Sequence, residues 1–167
     1  MNPMKTVRLS KVTLNMCTGE PGPKLEKARK LLEAISGRKV VITKTRNRNT
    51  FGVAKGREIG AMTTLRGKDA RELLARLLKG VENRLKASQF DSSGNFSFGV
   101  AEYINIPGIA YDPEIGIMGL DVCVTLERPG YRVSRRRQKT GRVGKGHVVT
   151  DREAIEWVGR EYGTQVA

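Results

Sequence analysis

Val12, Leu14 and Met16 alternate with Lys11, Thr13 and Asn15. That two-residue period predicts a half-buried strand over residues 7–16. The sequence GEPGP at 19–23 breaks it, and Pro23 suits the first turn of a helix. Leu25, Ala28, Leu31, Leu32 and Ile35 then recur at helical spacing up to Gly37, a natural C-cap. Residues 40–45 form a β-branched strand. Ile59, Ala61, Thr63 and Leu65 alternate again, so the two strands read as a hairpin with a long polar loop over residues 46–58. Ala70, Leu73, Leu74, Leu77, Leu78, Val81 and Leu85 predict a second amphipathic helix, which Gly80 ends or bends.

The DSSGN sequence at 91–95 is turn chemistry. Phe96, Phe98 and Val100 predict a strand, Pro107-Gly108 and Asp112-Pro113 an irregular link, and Leu120, Val122, Val124 and Leu126 a further strand. Pro129-Gly130 stops it, and residues 132–146 form a Gly- and Arg-rich loop, expected to be mobile until bound. Thr150 with Glu153 is a capping box for a last helix over 150–162, carrying Ala154, Ile155, Val158 and Tyr162 and closed by Gly163. The order of elements predicts an α+β fold: one mostly antiparallel sheet with helices packed on one face. Residues 1–167 read as a single domain with a basic loop over 128–147.

Aromatics are only 5% of the 167 residues, so the core must be largely aliphatic. Charge changes the picture more. There are 31 Lys and Arg against 17 Asp and Glu, a formal +14. Such a chain seeks a polyanion. Nucleic acid and an anionic membrane surface are the candidates; no apolar run is long enough to span a bilayer, and no membrane is among the expected partners. The first eleven residues lack the apolar stretch of a signal peptide. Cys17 and Cys123 stand far apart and suggest reduced thiols in the cytoplasm, expected to be small buried side chains. With His147 alone, no metal site is predicted.

The cations are concentrated. Residues 38–57 carry seven and residues 128–147 carry eight, with no Asp or Glu in either stretch. The first and second helices mix their charges instead, as solvated faces do. Acid-free runs of this length point to phosphate contacts, although a charge run is often only solvated surface. Arginine predominates in the second run, which favours phosphate forks and base stacking. Alternation adds a second clue. With Val12, Leu14 and Met16 facing the core, Lys11, Thr13 and Asn15 face outward, and Lys39 with Thr43 and Thr64 with Arg66 are the matching positions. Such a polar, short-chained, cationic face fits an RNA minor groove, and a plain solvent-exposed sheet face has the same pattern.

No catalytic residues are predicted and no cofactor. Gly144-Lys145-Gly146 lacks the spacing of a phosphate-binding loop. Asp112 and Glu114 have no acid–base partner, and Ser134 and His147 have no nucleophile context. Phe96 and Phe98 either stack bases or fill the core, and their spacing with Val100 favours the core. The chain reads as a structural RNA-binding protein, with a free RNA-binding regulator or RNA-processing factor as the alternative.

The stretches KVTLNM (11–16), LLEAISGRKVVITKTR (31–46), KGREIGAMTTLRG (55–67), DSSGNFSFGVAEYINIPGIAYD (91–112) and GLDVCVTLERPG (119–130) resemble, in order, the large-subunit ribosomal protein five family. The chain departs from the bacterial pattern in lacking a long N-terminal helical lead and in carrying Cys17 where bacterial members have Gly. Its tail from residue 128 is similar to the archaeal and eukaryotic branch. The resemblance implies binding of 5S rRNA in the central protuberance, through Asn15, Thr43, Lys44, Thr64 and Arg66, with Lys11, Thr13 and Lys39 on the same face. It implies that the loop over 46–58 reaches P-site tRNA, with Thr50, Phe51, Val53, Lys55 and Gly56 near its tip and Arg46, Arg48 and Arg57 along it. Phe51 either stacks on a base or anchors the loop. Arg132, Arg135, Arg136, Arg137, Lys139, Arg142 and Lys145 are expected to grip large-subunit rRNA. A neighbouring 5S-binding ribosomal protein completes the implied partners.

Overall fold

The computed structural model describes residues 2–48 and 52–167. Strand β1 is Arg8–Cys17, helix α1 Pro23–Ser36, β2 Val41–Lys44, β3 Glu58–Leu65 and helix α2 Gly67–Gly80. The short strand β4 is Arg84–Leu85, β5 Phe96–Val100 and β6 Leu120–Glu127. The helical turn α3 is Arg132–Arg135, helix α4 Asp151–Tyr162 and β7 Gln165–Val166.

Five strands form one antiparallel sheet in the order β2-β3-β1-β6-β5. The first strand in sequence is therefore the central one. Its alternation sends Val12, Leu14 and Met16 into the core, where each is almost wholly buried. They meet Leu31, Leu32 and Ile35 of α1 and Leu73, Leu74, Leu77 and Leu78 of α2 in one continuous apolar cluster. Burying each such Leu or Ile contributes about 1.5–3 kcal/mol. The helices cover one sheet face, as the sequence predicts. Gly37 and Gly163 take the left-handed conformation after α1 and α4, and the Thr150–Glu153 capping box forms.

Four details differ from expectation. Helix α2 ends at Gly80, one of the two expected outcomes, but Val81 and Leu85 fall outside it, because Glu82 and Asn83 adopt positive φ of 57° and 54°. Leu85 therefore leaves the helix and is buried instead in β4, which pairs in parallel with the chain end at β7. In α4 the buried residues are Ala154, Trp157 and Val158, whereas Ile155 and Tyr162 are half-buried. Trp157 lies three residues after Ala154 and next to Val158, so it shares their buried helical face. The cysteines are not buried: Cys17 and Cys123 are exposed, since both share strand parity with the outward polar residues. Finally, the loop over 132–146 is not featureless. It holds α3, Gly141 N–H donates to Val133 O at 3.1 Å, and Thr140 Oγ1 donates to Arg136 O at 2.8 Å.

Candidate nucleic-acid interface

The sheet has a bare face opposite the helices. Register defines it: Thr13 lies across from Thr64 on one side and Cys123 on the other, and Asn15 lies between Met62 and Asp121. Val41 and Thr43 continue it on β2, Ser97 and Gly99 on β5. The hydroxyls of Thr13 and Thr64 stand 3.3 Å apart, a cross-strand pair on adjoining strands. Gly60 keeps this face flat. A Cβ there would sit 2.7 Å from Thr43 Oγ1 and 3.0 Å from Met16 O, so only glycine lets Thr43 lie across it.

Thus Lys11, Thr13, Asn15, Thr43 and Thr64 do share one surface. Its charge differs from the sequence reading. On the strands it is mostly short and polar, with one cation, Lys11, an acid, Asp121, and two apolar residues, Val41 and Met62. Lys39 and Arg66 stand at its rim, where they line a shallow cleft with Arg38 and Asp69. Lys44 is partly neutralised by Glu58 at 3.2 Å. The arrangement suits phosphates at the margin and hydroxyl-to-hydroxyl contacts in the middle. The outward set of β6, Asp121, Cys123 and Thr125, was missed. The alternation in that strand was visible, but the strand order that places it beside β1 was not.

Thr45 closes the neck of the loop over 46–58. Its N–H donates to Arg57 O at 2.9 Å, its carbonyl accepts from Gly56 N–H at 2.9 Å, and its hydroxyl donates to Ala54 O at 2.7 Å. Gly56 has φ of 84°, which the turn back into β3 requires. Arg46, Arg48, Val53, Lys55, Gly56 and Arg57 belong to this loop, and no ion pair among the described residues occupies its four cations. Thr50 and Phe51 lie outside the described residues.

The second basic stretch is divided by the fold. Arg128 is 6% exposed and its Nη2 lies 2.5 Å from Glu153 Oε1, so it holds α4 to the end of β6 and is not a phosphate contact. Arg135 pairs with Glu127, which also takes Ser10 Oγ at 2.9 Å and Arg8 at 3.7 Å. Burial pushes the Glu127 carboxyl up, but hydrogen bonds from Arg135 and Ser10 and the charges of Arg135 and Arg8 outweigh it and hold the group below the usual range. Arg132, Arg136, Arg137, Lys139, Arg142 and Lys145 are exposed and, among the described residues, enter no ion pair. They remain available to a polyanion. No helix of the described residues is long and apolar enough to cross a membrane.

Comparison with known proteins places the chain in a family. Residues 58–157 match the C-terminal part of the ribosomal L5 family, and residues 2–53 match ribosomal protein L5. The chain is 49% identical to the large ribosomal subunit protein uL5 of Sulfurisphaera tokodaii, over 99% of this chain and 95% of that one. It is 46% identical to the protein of that name from Cenarchaeum symbiosum, covering 98% and 97%. For that from Nanoarchaeum equitans the identity is 47%, covering 99% and 98%. Matches of this extent and identity show that the chain belongs to the ribosomal protein L5 family, structural and non-enzymatic proteins of the large ribosomal subunit.

Proposed function

We propose that this chain anchors 5S rRNA in the large subunit through its bare sheet face and contacts P-site tRNA through the loop over 46–58. The observation that carries the first half is the register. It sets Lys11, Thr13, Asn15, Thr43 and Thr64 side by side on a helix-free surface, with Lys39, Lys44 and Arg66 at its edges. Short hydroxyl side chains let an RNA minor groove approach closely and meet its 2′-hydroxyls. The second half is supported by the loop's acid-free composition over 46–57 and by its hydrogen-bonded neck at Thr45, which gives the loop a fixed base. The exposed cations of 132–145 add contacts to large-subunit rRNA, beside a neighbouring 5S-binding protein.

Binding to 5S rRNA and to an unrelated structured RNA of equal length, measured across a salt series, tests the first half. Preference for 5S rRNA should persist at every salt concentration, because shape and hydroxyl contacts do not screen as phosphate contacts do. Equal affinity throughout would refute it. Deleting residues 49–55 should leave 5S binding within about twofold, since those residues carry a single charge, Lys55, and none of the sheet-face residues. The same deletion should reduce retention of P-site tRNA on reconstituted ribosomes. Unchanged retention would end the tRNA assignment.

A further inference from the structure

The loop over 128–147 also borders a groove of about 390 Å³ at the edge of the sheet face, with which it shares Lys11. Small-ligand sites commonly span about 300–1,000 Å³. Lys11 and Thr125, outward residues of β1 and β6, line this groove together with Asn95 of the 91–95 turn. Tyr131 and Ser134 line it from the start of the loop, and the half-buried Val143 and Val148 give it apolar surface.

Its walls are fastened to one another. Gly94, with φ of 73°, packs so tightly that a Cβ would lie 2.5 Å from Val149 Cγ1. The Tyr131 hydroxyl accepts from Val149 N–H at 2.9 Å and donates to His147 O at 3.3 Å. His147 Nε2 lies 2.8 Å from Pro129 O. The turn and both ends of the loop thus converge on Val149, and the groove is formed before any ligand arrives.

Its chemistry selects the ligand class. The loop supplying one side has no acidic residue, and the one nearby carboxylate, Glu127, is already neutralised by Arg135 and Arg8. The ligand is therefore anionic, with an apolar part for the valines and polar edges for Asn95 and Ser134. A base-paired duplex does not fit, because its bases are stacked inside and only its backbone would reach the rim. We propose that this groove holds one unstacked nucleotide of an RNA chain, its base against Val143, Val148 and Tyr131 and its phosphate toward Lys11. The proposal rests on the RNA-binding reading above and adds which RNA feature the second basic stretch takes.

Binding of full-length protein to hexa-adenylate and to a blunt RNA duplex, by fluorescence anisotropy, tests it. Ser134 is exposed at the groove's edge and its hydroxyl donates to Tyr131 O at 2.8 Å, so Ser134→Trp fills the groove at the loss of one exposed hydrogen bond. The variant should bind hexa-adenylate about tenfold more weakly and the duplex within about twofold, the loss expected when a base loses its stacking surface. In the wild-type protein, hexa-adenylate should shift the methyl signals of Val143 and Val148 and leave that of Ile117 in place. Equal effects on both RNAs, no effect on either, or unmoved valine signals would overturn the proposal. So would equal valine shifts with hexaglutamate, which would make the groove a site for acidic peptide. A wild-type protein that fails to bind hexa-adenylate while keeping its 5S preference sinks this site alone, whereas a wild-type protein with no 5S preference sinks the wider reading.

Discussion

Replacing Thr64 by glutamate is expected to weaken 5S rRNA binding about a hundredfold, because like charges brought together at an interface cost several kcal/mol. Thr64 is exposed on the bare face beside the cleft of Lys39 and Arg66, and among the described residues its hydroxyl meets only that of Thr13. The change should therefore leave the fold intact, as a circular dichroism spectrum and an unchanged unfolding midpoint would show. Lys30→Gln on α1 lowers the net charge by the same one unit from the helix side of the sheet. It should weaken binding no more than about twofold, as expected for one distant, screened charge. Equal losses from both variants would mean that overall charge, and not this face, determines affinity.

Glu153→Ala is expected to destabilise the protein by about 2–4 kcal/mol, measured by denaturant unfolding. It strands the buried Arg128 guanidinium, whose Nε already lacks a hydrogen-bond partner, and removes the acceptor for Thr150 N–H at 3.0 Å. Because the Glu153 side chain is 39% exposed, the cost falls below that of a fully buried pair. Arg128→Met should cost less than about 1.5 kcal/mol, since it removes the buried charge along with the pair and leaves Glu153 reaching water. The Thr150 backbone hydrogen bond, against the opposing effect of burial and helped by Arg128, holds the Glu153 carboxyl below its usual range. A depressed carboxyl stabilises the fold above its unfolded value of about 4.3, and that stability is lost as pH falls through the lower folded value. Stability should thus hold down to about pH 5 and decline below about pH 4, where Glu127 contributes in the same direction. Glu153→Ala should make that decline shallower.

Most of the fold was legible because its signals are local. Alternation at 12–16 and 96–100, helical spacing in α1 and α2, and the capping box at Thr150 each fix an element from its own residues. What escaped depends on distant partners. Leu85 continued the helical period, yet β7 at the far end of the chain claims it. Cys17 and Cys123 looked like core by residue type and are outward by parity. Arg128 sat within a run of cations, and only the fold shows that Glu153, absent from that run, consumes its charge. The candidate face was half legible for the same reason: period two gave the outward residues of β1 and β3, but not that β6 lies beside them and brings Asp121.

Everything proposed for 5S rRNA depends on RNA meeting the bare side of the sheet. Photo-cross-linking of the chain to 5S rRNA, with the attached peptides identified by mass spectrometry, decides whether it does. Cross-links should fall on β1, β2 and β3 at Lys11, Thr13, Asn15, Thr43 and Thr64 and on the adjoining Lys39 and Arg66. Cross-links confined to the solvent side of α1 and α2, with none on these strands, would contradict it.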